Sequence, residues 1–147
     1  MDLILWRHAD AEDGVPDEER KLTKKGFKQA ERMSRWLKER LPKDAVVLVS
    51  PARRARETAA AYTKDVEVTA ELGTGAAPPS VLKAVGWPRR GGTVVVVGHQ
   101  PTLGQTAALI LTGEQADWSI KKGGLWWLES RERGDVIVRA VMAPDVL

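Results

Sequence analysis

Cysteine is missing from all 147 residues. That absence excludes disulfides, thiolate catalysis and cysteine-ligated metal, and it fits a reducing cytoplasm, the location expected for this chain. Histidine occurs only twice, as His8 and His99, and phenylalanine and tyrosine once each. Long hydrophobic runs are also absent. Apolar runs such as Val94 to Val97 have the length of a strand, whereas a bilayer-crossing helix needs about 20 apolar residues, so no membrane partner is expected. The N-terminus lacks the basic patch, apolar stretch and small-residue cleavage site that mark an export signal.

What is present is an ordinary globular composition, with 43% hydrophobic and 29% charged residues. The length suits one domain with its own core, read here as residues 1–147. Net charge is +3 but uneven: residues 1–19 hold seven acids and one base, residues 20–64 fourteen bases and four acids. Such a basic segment could attract nucleic acid, an anionic surface or a phosphorylated substrate. Lys24, Lys25, Lys28, Arg32, Arg35 and Lys38 also fit the solvent face of a single helix. The simpler reading is preferred, and no nucleic-acid partner is expected.

The chain alternates strand and helix. Leu3 to Trp6 reads as a strand, followed by the acidic, turn-rich Asp10 to Glu19. Phe27, Ala30, Met33, Leu37 and Leu41 recur at helical spacing between Thr23, a plausible N-cap, and Pro42, a stop. Ala45 to Val49 reads as a buried strand running into Ser50-Pro51, an N-cap followed by proline at the first helical position. That helix carries Ala55, Thr58, Ala59 and Tyr62 on one face. Val66 to Thr69 is a weak strand, Gly73 to Pro79 a loop, and Ser80 to Val85 a short helix. Thr93 to Val97 is an all-β-branched strand ending at Gly98-His99-Gln100-Pro101. Leu103, Thr106, Ala107, Ile110 and Leu111 form a helical stripe closed by Gly113. Gly124 to Leu128 and Val136 to Val141 read as a hairpin, with one ring of Trp126-Trp127 inward and the other outward. This pattern predicts an α/β fold: a three-layer α/β/α sandwich around a mainly parallel central sheet. Ligands in such folds bind beyond the carboxyl ends of the strands.

Three charged motifs fall at those ends. The first strand ends in Arg7-His8, the second leads through Ser50-Pro51 to Arg53 and Arg54, and the all-β-branched strand ends in Gly98-His99. Together they suit phosphoryl transfer. A neutral imidazole is a competent nucleophile near pH 7, and arginine forks neutralise phosphate oxygens. Helices starting at Pro51 and Pro101 would add N-terminal amides. Two histidines without a His-x-x-x-His or similar spacing do not make a zinc site, and no metal is expected.

Arg7-His8-Ala9-Asp10 resembles the Arg-His-Gly signature of the histidine phosphatase superfamily. Ser50-Pro51-Ala52-Arg53-Arg54-Ala55-Arg56-Glu57-Thr58 resembles its Ser-Pro-x-x-Arg-Ala-x-x-Thr motif, which selects Arg54 and leaves Arg53 outside; Arg53 and Arg56 read as surface charges or aids to substrate docking. Gly98-His99-Gln100-Pro101 resembles its Gly-His-x-Pro motif, and Leu22-Thr23-x-x-Gly26 its first helix opening. The four motifs stand in the family's order, and the resemblance runs from Leu3 to about Leu128. It implies that His8 forms a phosphohistidine intermediate while Arg7, Arg54 and His99 bind the phosphoryl oxygens, with no cofactor. Position 9 carries Ala where the family has Gly, which matters if the backbone there needs a positive φ. Glu71-Leu72-Gly73-Thr74-Gly75 matches the family's Glu-Leu-x-Pro-x-Gly stretch only loosely, leaving Asp10 and Glu71 as alternative general acids.

The short length and Asp10-Ala11 are similar to the SixA-type phosphohistidine phosphatases. Only about 30 residues separate Tyr62 from Thr93, too few for a large cap insertion, so an open site is expected. The expected partner is a phosphorylated protein domain carrying phosphohistidine, whose imidazole leaves readily without an acid. Small phosphate esters are the alternative substrates. A non-catalytic protein that binds an acidic partner or RNA through the basic helix is the third reading.

Overall fold

Six strands form one twisted sheet in the computed structural model, which describes residues 1–147. They are β1 (Asp2–Arg7), β2 (Val46–Val49), β3 (Glu67–Val68), β4 (Thr93–Gly98), β5 (Leu125–Ser130) and β6 (Val136–Met142). Their order is β3-β2-β4-β1-β5-β6. The first four run parallel, and β5 and β6 form an antiparallel hairpin along the β1 edge. The sheet is therefore mainly parallel, as the buried apolar strands predict.

Helices cover both faces. α1 (Lys24–Lys38) and α2 (Arg53–Tyr62) lie on one, α3 (Pro78–Val85) and α4 (Thr102–Thr112) on the other. Strand alternation divides the core accordingly. Ile4, Trp6, Val95 and Val97 meet Met33, Leu37, Ala55 and Ala59 on the first face. Leu3, Leu5, Val94 and Val96 meet Val81, Val85, Leu103 and Ala107 on the second. The result is the expected α/β/α sandwich, and the segment between α2 and β4 holds only β3, a 3-10 turn and α3.

Several local expectations change. Phe27 is 45% exposed, because the helix turns it away from the sheet while Ala30, Met33 and Leu37 face inward. α1 stops at Lys38, four residues before Pro42. Both Trp126 and Trp127 pack inward, but onto opposite faces of the sheet, since each face has a helical layer to receive a ring. Trp126 stacks on Trp118, and Trp127 meets Trp36 edge to face. Neither proline opens its helix as expected: α2 starts at Arg53 and α4 at Thr102, with Pro101 as N-cap. The lysines and arginines of α1 are all exposed, as a solvent face requires.

The opening of α1 fixes the loop that follows β1. Thr23 caps the helix, its Oγ1 accepting from the Gly26 amide at 3.0 Å and donating to the Asp10 carboxylate at 2.7 Å. A Cβ on Gly26 would collide with the Asp10 carbonyl oxygen, so only glycine lets the helix approach this closely. The helix start is thereby stapled two residues beyond His8.

Candidate active site

β2, β4 and β1 are neighbours, and their carboxyl ends deliver the chemistry to one place. Arg7 pairs with Gly98 at the last register position, and the His8 amide donates to the Gly98 carbonyl at 3.0 Å. His8 and His99 are thus the residues immediately after two adjacent parallel strands. Their rings lie with centroids 5.2 Å apart, and both side chains are buried. Ser50 follows β2 in the same layer, its amide donating to the Val97 carbonyl at 3.0 Å.

The two rings are held differently. His8 Nδ1 lies 2.7 Å from the carbonyl oxygen of Ala9. A carbonyl only accepts, so Nδ1 carries the hydrogen and Nε2 keeps its lone pair. His99 Nε2 lies 2.7 Å from Ser50 Oγ, which also accepts from the Ala52 amide at 3.2 Å. The hydroxyl's own hydrogen is free to donate to Nε2, which leaves the hydrogen of His99 on Nδ1. That nitrogen is buried and has no partner.

The arginines show the same pattern. Arg7 donates from Nη1 to the Ile120 carbonyl at 2.8 Å, and Arg54 donates from Nη1 to the Asp17 carbonyl at 2.8 Å and from Nη2 to the Asp17 carboxylate at 3.0 Å. In both, Nε is buried and unpartnered. Buried donors normally find a partner, and leaving one without costs about 1–3 kcal/mol. Arg7 Nε, Arg54 Nε and His99 Nδ1 belong to residues gathered around His8. Three orphaned donors in that setting suit an anion.

Electrostatics keep both imidazoles neutral. Burial, more than the cations, pushes the His8 pKa down to about 4, with Arg54, Arg7 and Arg20 adding to the effect and the bond to Ala9 opposing it. Burial also pushes His99 down to about 3, helped by His8 and Arg54, while the Asp17 carboxylate works the other way. Burial lowers the Arg7 pKa as well.

All four residues expected at the site, Arg7, His8, Arg54 and His99, come together. Arg54 is 4% exposed on the inner face of α2, whereas Arg53 and Arg56 point outward, Arg53 toward Glu57. Ala9 causes no backbone conflict, since no residue other than glycine has a positive φ. Its methyl is fully buried against Leu22 and Ala30. Its amide donates to Thr58 Oγ1 at 3.0 Å, and the same hydroxyl donates to the Arg54 carbonyl. That bridge gives the last residue of the Ser-Pro motif a physical purpose.

Neither Asp10 nor Glu71 makes a hydrogen bond to Arg7, His8, Arg54 or His99. The Asp10 carboxylate is taken by Lys122 at 2.9 Å and Thr23, which hold its pKa below the usual carboxylate range and keep it ionised. Glu71 is exposed on the 3-10 turn Ala70–Leu72. Two further participants escaped the sequence reading. Ser50, expected to cap a helix, contacts His99, and Asp17, expected in a plain acidic turn, contacts Arg54. A carboxyl oxygen eight to ten residues past the signature histidine carries no local periodicity that could have marked it. No group of three or more His, Cys, Asp or Glu side chains is placed to hold a metal ion, and no helix is long and apolar enough to cross a membrane.

Comparison with known proteins adds independent evidence. Residues 3–74 match the model of the histidine phosphatase superfamily (branch 1). An uncharacterized protein of Mycobacterium tuberculosis is 35% identical over 120 residues, covering 78% of this chain and 75% of that protein. An uncharacterized Picosynechococcus protein is 34% identical over 146 residues, covering 88% and 86%. Among solved structures, the protein histidine phosphatase SixA complexed with tungstate superposes with a TM-score of 0.86 at 26% identity, over 99% of each chain. A Nakamurella multipartitia protein assigned as phosphohistidine phosphatase SixA gives 0.81 at 28%, over 97% and 95%. The fold is also that of an Entamoeba histolytica phosphoserine phosphatase, with a TM-score of 0.75 at 18% identity over 99% and 98%.

Proposed function

This chain belongs to the histidine phosphatase superfamily and is a phosphatase, and from that premise we propose that it hydrolyses phosphohistidine on a protein. The observation that carries the reading is the set of three buried, unpartnered nitrogens, Arg7 Nε, Arg54 Nε and His99 Nδ1, on residues that neighbour a neutral histidine whose Nε2 keeps its lone pair. In this reading His8 Nε2 attacks phosphorus, and the bond from phosphorus to the substrate imidazole breaks. The leaving imidazole takes its proton from solvent, which reaches the uncapped site. Water then attacks the phosphorus on His8, the P–N bond breaks, and orthophosphate leaves. Arg7, Arg54 and His99 stabilise the charge that spreads over the equatorial oxygens.

Substrate class follows from what the site lacks and what lies beside it. Asp10 is ionised and Glu71 is solvent-exposed, with no hydrogen bond to the site residues, so neither is held as a protonated carboxyl for an alkoxide leaving group. A phosphohistidine needs none, because imidazole accepts a proton near neutrality. No cap covers the site. An open cleft of about 630 Å³ lies between the acidic loop and the start of α2, lined by Glu12, Asp13, Arg20, Lys21, Arg53 and Arg56 among others, and Arg20 links it to Arg54 through Asp17. Mixed charges of this kind suit the surface of a protein domain better than a small apolar group. The test compares kcat/KM for a phosphohistidine peptide with that for p-nitrophenyl phosphate. A clear preference for the peptide supports the reading. Equal or better turnover of the ester favours small-molecule phosphomonoesterase activity with the same residues.

A further inference from the structure

We infer that Asp17 is the positioning residue that aims Arg54 at the phosphoryl group; this rests on the assignment of Arg54 as a phosphate ligand. Asp17 engages Arg54 twice, through its carbonyl to Nη1 at 2.8 Å and its carboxylate to Nη2 at 3.0 Å. Each terminal nitrogen thereby gives one hydrogen to Asp17, and Nε is left as the buried donor without a partner. Arg7 is presented in the same way, with Nη1 tied to a main-chain carbonyl and Nε free. Its tether is a backbone oxygen alone, so Asp17 adds a charge-assisted bond that Arg7 lacks.

Asp17 is itself anchored. Arg20 Nη1 donates to its other carboxylate oxygen at 3.1 Å, while Arg20 Nε donates to the Glu12 carbonyl at 2.7 Å. The chain Glu12–Arg20–Asp17–Arg54 fastens the acidic loop over the carboxyl end of the sheet. The bonds from Arg20 and Arg54 hold the Asp17 carboxyl below the usual carboxylate range, so the tether stays charged at neutral pH.

An anionic side chain beside an anion site could instead compete with substrate. Burial decides between the two effects. The Asp17 side chain is 52% exposed, so solvent and salt screen its repulsion. The Arg54 side chain is 5% exposed, so a guanidinium nitrogen deprived of its partner stays desolvated and the group turns to find another. Positioning therefore outweighs repulsion.

The two effects have opposite signs in an orthophosphate titration followed by calorimetry. Asp17→Ala removes a negative charge, so a competing carboxylate predicts tighter binding and a positioning one weaker binding. We expect the orthophosphate Kd to rise about tenfold in Asp17→Ala. It should stay within about threefold of the parent in Asp17→Asn, whose amide oxygen can still accept from Nη2. In an Arg54→Ala background the further change Asp17→Ala should add almost nothing, since the residue acts through Arg54. An unchanged or lower Kd in Asp17→Ala, or additive losses in the double variant, overturns the inference while leaving Arg54 in place. An Arg54→Ala protein that binds orthophosphate like the parent overturns the assignment of Arg54 itself.

Discussion

His99 Nε2 and Ser50 Oγ lie 2.7 Å apart, joining the ends of two adjacent strands through side chains 49 residues apart in sequence. When the hydroxyl donates to Nε2, the hydrogen of His99 sits on Nδ1, which is buried and without a partner. Ser50→Ala should lower kcat/KM about tenfold, since it removes the hydrogen bond that orients a phosphate-binding imidazole, about the cost of one buried hydrogen bond. Melting temperature read alongside kcat/KM checks this; a Ser50→Ala enzyme with unchanged kcat/KM shows that the hydroxyl does not orient His99.

The nucleophile is tested directly. His8→Ala should abolish turnover, and labelled substrate should leave acid-labile, base-stable phosphate on the parent enzyme at His8. An active His8→Ala variant removes the covalent route.

Adjacent arginines on α2 supply an internal control. Arg54 is buried with an unpartnered Nε, while Arg53 is exposed and paired with Glu57. Arg54→Ala should cost about a hundredfold or more in kcat, and Arg53→Ala should change it by less than about threefold. Equal losses in the two variants would place the phosphate on the outer face of the helix.

Acid sensitivity follows from the two histidines. Their folded-state values, about 4 for His8 and about 3 for His99, lie below the ordinary value of 6.5. As pH falls the unfolded chain therefore takes up protons first. This contribution to stability is complete above about pH 6.5 and is lost progressively down through the folded values. The ionised Asp10 and Asp17, held below the usual carboxylate value, add their loss at lower pH. The melting temperature should fall from pH 6.5 to 4, and His8→Gln should flatten part of that slope. With a substrate whose own ionisation is known, the acidic limb of kcat/KM should follow His8 toward pH 4, well below 6.5. A limb centred at 6.5 contradicts a desolvated His8.

Arginines and a neutral imidazole supply the charge stabilisation and nucleophile that a metal supplies elsewhere, so excess EDTA should leave the rate unchanged. Loss of activity on chelation, restored by zinc or magnesium, would recast His8 and His99 as ligands.

The sequence by itself determined the layers and the chemistry-bearing residues. Alternation in Leu3–Trp6 and Val94–Val97 sends side chains to two faces and calls for helices on both, and that is the observed sandwich. Arg7, His8, Arg54 and His99 stand in motifs at strand ends, where the α/β arrangement puts a site. Such signals are local, carried by period and by adjacency along the chain. Tertiary structure decided what no period encodes. Asp17 reaches Arg54 across 37 residues, Ser50 reaches His99 across 49, and Ile120 offers its carbonyl to Arg7 across 113. Phe27 sits at helical spacing yet faces water, because a stripe predicts a face but not how far the neighbouring layer extends over it. One ring of Trp126-Trp127 is expected outward, yet both are covered, because α3 and α4 give the second face of the sheet its own core. The direction in which each arginine presents Nε depends on which distant oxygens claim its other nitrogens, and only the folded chain brings those oxygens within reach.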